Sequence, residues 1–267
     1  MDWKQIKGLL IDLDGVVYID NKPIKGAVDT IKGLKNAGYR LCFVTNTSNT
    51  SVKHLYQRLT DMGLPVKKDE ILSAAYATSL YLQSKNYNRC YGVISDAVKE
   101  DFAEVNIIDG KNETSASSAE NIDAVVIGDI DRGWTYNIIN RLFNFVMNGA
   151  DLVAMHKGKY WKTSEGLRMD IGAIVAGLEY TTGKKAAAVG KPEKTFFEMG
   201  LKRLGLRAEE TAMIGDDVES DVGGAQNAGL YGILPKTGKY REDVLHASSV
   251  TPDAIIGSLA ELQDTLL

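Results

Sequence analysis

Four apolar runs, LLI at 9–11, LCFV at 41–44, AAAV at 186–189 and AMI at 212–214, each stop at a short polar motif, and helix-like segments separate them. Short aliphatic runs that do not alternate with polar residues are the pattern of parallel strands buried on both faces. The polar motifs are Asp12-Leu13-Asp14-Gly15, Thr45-Asn46, Gly190-Lys191-Pro192 and Gly215-Asp216-Asp217 with Asp221. In open α/β sheets the ligand crevice lies beyond the carboxyl ends of the strands, so motifs far apart in sequence converge there. Two carboxylates, a hydroxyl, a lysine and further carboxylates are what a magnesium-dependent phosphoryl transfer needs, and the four motifs are expected to form one phosphate-handling site.

At 267 residues the chain is long enough for one large α/β domain or for a domain with an insertion. Its net charge of −4 is spread with both signs along the chain. It leaves no basic stripe, which argues against a nucleic-acid binder and requires local groups to hold an anionic substrate. Cys42 and Cys90 lie in or beside apolar strand-like runs and form no C-x-x-C pair, so they are expected to be reduced structural thiols. The opening MDWKQIKGLLIDLDG has an apolar run too short for a signal-peptide core, and no stretch approaches the length of a membrane span. These features predict no membrane partner and a reducing, cytoplasmic setting.

The periodicity predicts a strand over 7–12 and a helix over 27–37, with Ala27, Ile31, Leu34 and Ala37 on one face and Gly38 as its stop. A strand over 40–45 and a helix over 51–62 follow, with Thr47, Ser48, Asn49 and Thr50 as candidate N-caps. Residues 70–84 read as a further helix. Beyond them the order restarts, with strands at 89–94, 124–127 and 152–155 alternating with helices at 96–105, 136–147 and 171–180. In the second of these helices Ile138, Leu142, Phe145 and Val146 share one face. The polar, serine-rich stretch 111–120 is expected to be an exposed loop. From 184 the first layout resumes, with strands at 186–189, 212–214 and 231–234, helices at 193–204 and 219–228, and a last strand and helix within 254–267. The reading is an α/β fold in which a Rossmann-like parallel-sheet core, 1–80 and 184–267, is interrupted by an inserted α/β cap domain, 81–183.

Residues two apart in an extended segment point to the same side, so Asp12 and Asp14 can face one pocket. The first suits attack on phosphorus to give an aspartyl-phosphate, and the second suits protonating the leaving oxygen and then deprotonating water. A plain Asp-x-Asp-Gly turn is the alternative for the same residues. Thr45 closes its strand with a hydroxyl, and the loop from Asn46 to Ser48 either surrounds a phosphate oxygen with backbone N–H groups or caps the next helix. Lys191 precedes a proline of the kind favoured in a first helical turn, and its charge can steady a carboxylate and a transferring phosphoryl group. A solvated lysine is the alternative there. Asp216, Asp217 and Asp221 crowd together at a cost in repulsion unless a cation balances them, and Mg²⁺ takes oxygen ligands of this kind. Asp216 is the leading ligand, with Asp12 and the backbone carbonyl of Asp14. Asp221 is read as orienting Lys191 or a water at the metal. A helix N-cap with first-turn acids explains Asp217 and Glu219 better than it explains Asp216.

In their order and strand-end placement these motifs resemble the haloacid dehalogenase superfamily over the whole core. The insertion resembles, in position and size, the C2a cap of the NagD and 4-nitrophenylphosphatase branch. The runs GLRMDIGAIVAGLEYTTGKKAAAVGKPEKTFFEMGL and MIGDDVESDVGGAQNAGLYGILPKTGKYR carry the similarity to that branch. The resemblance implies Asp12 as nucleophile, Asp14 as general acid and base, Thr45 and Asn46 with Thr47 as phosphate binders, and Lys191 as charge stabiliser. It also implies a Mg²⁺ site at Asp12, Asp14, Asp216 and Asp221. None of the four motifs departs from the family pattern, and an acid two residues after the nucleophile implies a phosphatase rather than a dehalogenase. The implied substrate is a small phosphorylated metabolite, and because caps of this branch often form dimer contacts a homodimer is expected.

The segment 155–170 contains His156, Lys157, Lys159, Tyr160, Trp161, Lys162, Glu165 and Arg168, the mixture of aromatic and charged groups expected of a specificity loop. Tyr160 and Trp161 are its expected substrate contacts, and a hairpin with a solvated face is the alternative. His54, His156 and His246 show no metal-ligand spacing, and His156 alone falls in this segment. Two other function classes stay in view. One is a phosphotransferase or mutase that passes the aspartyl-phosphate to a second substrate. The other is a non-catalytic module that senses phospho-ligands, against which the intact Asp12, Asp14 and Lys191 argue.

Overall fold

The strand Gly8–Asp12 is buried at every residue and lies in the middle of a six-stranded sheet. The sheet order is Ala254–Ile256, Tyr231–Pro235, Thr211–Ile214, Gly8–Asp12, Arg40–Thr45 and Ile71–Ser73. The computed structural model describes residues 3–20, 22–112, 121–163 and 166–266. Residues 113–120 of the expected serine-rich loop, and Glu165, lie outside the described residues. The chain first adds strands to one side of Gly8–Asp12 and later to the other, so the winding reverses between Gly8–Asp12 and Thr211–Ile214. These two run parallel with Ile11 opposite Ile214. A reversal of this kind opens a crevice at the carboxyl ends of the two strands, and Asp12 and Asp216 stand there.

Helices cover the sheet with apolar faces. Ala27–Asn36 buries Ala27, Thr30, Ile31 and Leu34, and Lys194–Leu204 buries Phe196, Phe197, Gly200 and Leu204. Ile31, Leu34, Leu55 and Leu59 join Leu9, Ile11, Phe43 and Ile214 in one core cluster. Burying each such side chain stabilises the fold by about 1.5–3 kcal/mol before the entropy of ordering it is counted. The expected C-terminal stop at Gly38 is realised at φ 90°, in the left-handed region.

By internal contacts the chain groups into two units. The first is Met1–Thr45, Val52–Leu72 and Lys191–Leu267, and the second is Asn46–Ser51 and Ser73–Gly190. The second unit has its own five-stranded sheet, ordered Ala187–Ala188, Asp151–Ala154, Ala124–Ile127, Cys90–Val93 and Ile107–Asp109, with every neighbouring pair parallel. Its helix Tyr136–Met147 buries Ile138, Leu142, Phe145 and Val146, and the Thr135 side chain caps it by accepting from Ile138 N over 3.2 Å. The Phe145 ring lies 4.8 Å from that of Tyr91. Tyr160–Thr163 and Gly166–Met169 form a separate antiparallel hairpin.

The structure departs from the sequence reading at several elements. The strand expected over 186–189 for the core sheet pairs instead with the second sheet, Ala187 opposite Val153 and Ala188 opposite Ala154. By internal contacts, residues 46–51, 73–80 and 184–190 group with the inserted unit rather than with the core. An alanine pair carries the same apolar signal for either sheet, so its pattern names no partner. The helix expected over 70–84 divides into the edge strand Ile71–Ser73 and the helix Ala74–Ser84, with Ser73 accepting from Tyr76 N over 3.1 Å as its cap. Residues 96–105 form the 3₁₀ stretch Asp96–Phe102, and 219–228 begin as the π-helical stretch Val218–Gly223 before Gly224–Asn227. The strand Ile107–Asp109 has no alternation long enough to reveal it.

Cys42 and Cys90 are buried free thiols, and burial pushes them up to about 12 and about 11, far from the reactive thiolate range. Among the described residues, no helix is long and apolar enough to cross a membrane.

Candidate active site

Lys191 stands immediately after the second unit's last residue and only 4% exposed. Its Nζ donates to Asp12 Oδ1 over 2.6 Å and lies 2.6 Å from Asp221 Oδ1. An ammonium buried this deeply persists only with carboxylates beside it. Burial alone would lower its pKa, but the charges of Asp12 and Asp221 outweigh burial and hold it above the ordinary lysine value. Pro192 lies in the turn ahead of Lys194–Leu204 and not in that helix's first turn, because Glu193 is still extended at φ −64° and ψ 133°. The π-helical stretch Val218–Gly223 carries Asp221, whose Oδ2 accepts from Asp217 N over 3.1 Å.

Asp216 is fixed from its other side by the loop after Tyr231–Pro235. Lys239 N donates to Asp216 Oδ2 over 2.7 Å, and Thr237 Oγ1 donates to the carbonyl of Gly15 over 2.6 Å. Gly15 and Gly238, at φ 82° and 60°, crowd the same carboxylate, and a Cβ on either would lie 2.0 or 1.9 Å from Asp216 Oδ2. Both positions thus need glycine for conformation and for room. The sequence reading gives this loop no role in the site, although YGILP running into Lys-Thr-Gly-Lys carries the same apolar-to-polar signal as the four motifs.

Ligand oxygens of Asp12, Asp216 and Asp221 lie within 4.8 Å of one another, all buried. Burial pushes Asp216 up to about 8, helped by the charges of Asp12 and Asp221. Burial likewise raises Asp221 to about 6 against the opposing charge of Lys191, and it raises Asp12 against the same lysine. Three crowded carboxylates share one buried ammonium, so the ionised cluster carries more negative than positive charge. An all-oxygen donor set with surplus negative charge fits a hard divalent cation.

Asp14 follows the strand in an isolated bridge to Tyr18 and is exposed, whereas Asp12 is buried. Tyr18 Oη donates to its Oδ2 over 3.3 Å. Desolvation by its surroundings raises its carboxyl, opposed by that hydroxyl and by Arg58, and the solvent around it screens the push. The Asp14 carboxylate is outside the three-acid cluster. Asp217 caps the following turn, its Oδ1 accepting from Ser220 N over 3.0 Å, and pairs with Lys239 at 3.4 Å. Thr45 is buried at the end of Arg40–Thr45. Asn46 packs against Gly190, where a Cβ would lie 2.7 Å from Asn46 Oδ1, and Thr47 is half-buried beside it. Tyr160 and Trp161 are exposed on the hairpin, and the Arg168 guanidinium lies 5.9 Å from the Trp161 ring.

A family model described as haloacid dehalogenase-like hydrolase matches residues 9–108, and a second, described as HAD-hydrolase-like, matches 188–262. The chain is 39% identical over 238 residues to haloacid dehalogenase-like hydrolase domain-containing protein 2 of Bos taurus, covering 89% of this chain and 87% of that one. It is 32% identical over 269 residues to the phospholysine phosphohistidine inorganic pyrophosphate phosphatase of Xenopus laevis, covering 98% and 95%. Among solved structures, 4-nitrophenylphosphatase from Thermotoga maritima matches with a TM-score of 0.89 at 26% identity over 99% of both chains.

Proposed function

The chain belongs to the haloacid dehalogenase-like hydrolase family and is a phosphatase of that family, and from this premise we propose that it hydrolyses small phosphorylated compounds through an aspartyl-phosphate on Asp12. The observation that carries the proposal is the buried Lys191 bridging Asp12 and Asp221 beside Asp216. By holding Asp12 Oδ1, Lys191 orients the second carboxylate oxygen toward phosphorus and favours the ionised form of the nucleophile. As the new oxygen–phosphorus bond forms and the ester bond breaks, Asp14 delivers a proton to the leaving oxygen. Its raised pKa suits that task. Asp14 then takes a proton from the water that releases phosphate from Asp12. Thr45, Asn46 and Thr47 are proposed to hold the phosphate oxygens, and Tyr160 and Trp161 to contact the rest of the substrate. Mg²⁺, which Asp12, Asp216 and the backbone carbonyl of Asp14 would hold with support from Asp221, would offset charge on the transferring phosphoryl group.

The test is turnover of p-nitrophenyl phosphate and a panel of phosphorylated metabolites by the purified chain with Mg²⁺, following free phosphate. Phosphate equal to p-nitrophenol supports hydrolysis. Transfer to an added alcohol in place of phosphate release would support a phosphotransferase, and no turnover of any compound would sink the proposal.

A further inference from the structure

Asn46–Ser51, which begins at the second residue of the Thr45-Asn46 motif, groups with Ser73–Gly190 and not with the strand it leaves. Side-chain contacts inside that unit hold it. Asn49 Nδ2 donates to Asp129 Oδ2 over 3.0 Å, Ser51 Oγ donates to Glu100 Oε1 over 2.5 Å, and Ser48 Oγ lies 3.2 Å from His156 Nε2. The last contact joins two side chains that are 4% and 5% exposed. Water does not readily substitute for a bond so enclosed, so losing it costs more than losing an exposed one.

The network also assigns the imidazole's tautomer. Gly158 N donates to His156 Nδ1 over 3.1 Å, so Nδ1 carries a lone pair and Nε2 carries the proton. Nε2–H therefore donates to Ser48 Oγ. The Asp170 carboxylate is 3.9 Å from Nδ1, beyond hydrogen-bond reach.

We propose that His156 is a positioning residue for the phosphate-binding loop, fixing Ser48 and through it the backbone of Asn46 and Thr47. It would tie the start of the substrate-reading segment to the group that grips the phosphate. The inference rests on the phosphatase reading of these residues. His156 acts through Ser48 and touches neither phosphorus nor the leaving group.

The experiment uses p-nitrophenyl phosphate turnover, competitive inhibition by inorganic phosphate, and thermal unfolding. His156→Gln places an amide nitrogen near the position of Nε2, whereas His156→Asn keeps an acceptor near Nδ1 and has nothing to offer Ser48. Ser48→Ala and His156→Asn should each raise KM and the phosphate inhibition constant together by about tenfold, the upper scale of one lost hydrogen bond. His156→Gln should recover most of that loss. The double variant His156→Asn/Ser48→Ala should be no worse than either single variant, because the two share one bond. The Mg²⁺ concentration for half-activation should stay unchanged throughout. Ser48→Ala removes a single oxygen, so it reports even where a histidine variant fails to fold. Lower melting temperatures with an unchanged phosphate inhibition constant, or additive losses in the double variant, would overturn the proposal. Absence of turnover by the unaltered protein overturns the phosphatase reading and this inference with it. An active parent matched by all its variants overturns this inference alone.

Discussion

Lys191 Nζ donates to Asp12 Oδ1 over 2.6 Å although 179 residues separate the two in the chain. The same ammonium serves Asp221, so Lys191→Met would keep the volume and strand two buried carboxylates. Breaking a buried pair in this way costs about 3–5 kcal/mol, and turnover should be lost with it. The sign of the pH effect follows from linkage. Without the lysine the carboxyls of Asp12 and Asp221 rise further above their unfolded values, so the folded variant retains protons that the unfolded chain releases. Its deficit relative to the parent should therefore widen as pH rises from about 4, the unfolded carboxyl range, through the folded values. Melting of the metal-free proteins at pH 5.5 and 8 measures this, and equal gaps at both would remove the charge of Lys191 from the account.

Asp216, held up to about 8 by burial and its acidic neighbours, must lose its proton to a cation. Apparent Mg²⁺ affinity should weaken below that pH, approaching about tenfold per pH unit for one proton displaced. A carboxyl raised on folding stabilises fully below its unfolded pKa and loses that contribution as pH rises through the folded value. Chelated protein should thus melt lower at pH 8 than at pH 6. Mg²⁺ at a hundredfold excess over Kd should add about 2.7 kcal/mol. Ca²⁺, larger and more highly coordinated, should inhibit p-nitrophenyl phosphate hydrolysis. Full activity in excess chelator would count decisively against a metal at this cluster.

The two acids of the first motif should separate kinetically. Asp12→Asn removes the attacking oxygen, so turnover of p-nitrophenyl phosphate should fall to background. Asp14→Asn deprives water of its base but leaves the first attack partly possible, because p-nitrophenolate leaves without a proton. Rapid mixing should then show a burst of about one p-nitrophenol per site followed by near silence. Substantial steady turnover by the Asp12 variant would end the covalent mechanism.

Gly238→Ala should damage the metal site through its position. A Cβ there would lie 1.9 Å from Asp216 Oδ2, and φ 60° adds about 1–2 kcal/mol of left-handed strain. Gly38→Ala is the control, since φ is 90° but no atom lies within 4 Å of its Cβ. Both should lower the melting temperature, and only Gly238→Ala should raise the Mg²⁺ requirement. A matching rise in the control would show that strain alone, not contact with Asp216, is being measured.

Trp161 is 39% exposed and Tyr160 63%. Alanine at either should change the ranking among phosphorylated metabolites more than it changes p-nitrophenyl phosphate hydrolysis, because contacts distant from phosphorus alter discrimination rather than chemistry. Equal losses on every substrate, with a lower melting temperature, would indicate packing instead.

The strands ending at Asp12, Thr45 and Ile214 were legible from residue order alone. A central parallel strand must be apolar on both faces, and its polar successor marks its carboxyl end. Helix Tyr136–Met147 was legible for the same kind of reason, its buried face repeating at helical spacing. Choice of partner was not. Ala187 and Ala188 join the second sheet, and the Thr45-Asn46 motif is divided between the two units, because short segments bury too little to encode which surface receives them. The close approach of Gly238 to Asp216, the exposure of Asp14 and the bond from His156 to Ser48 likewise depend on loops meeting across long stretches of chain. Local pattern records how deeply a residue is buried, while the identity of its neighbour is set only when distant segments compete for the same space.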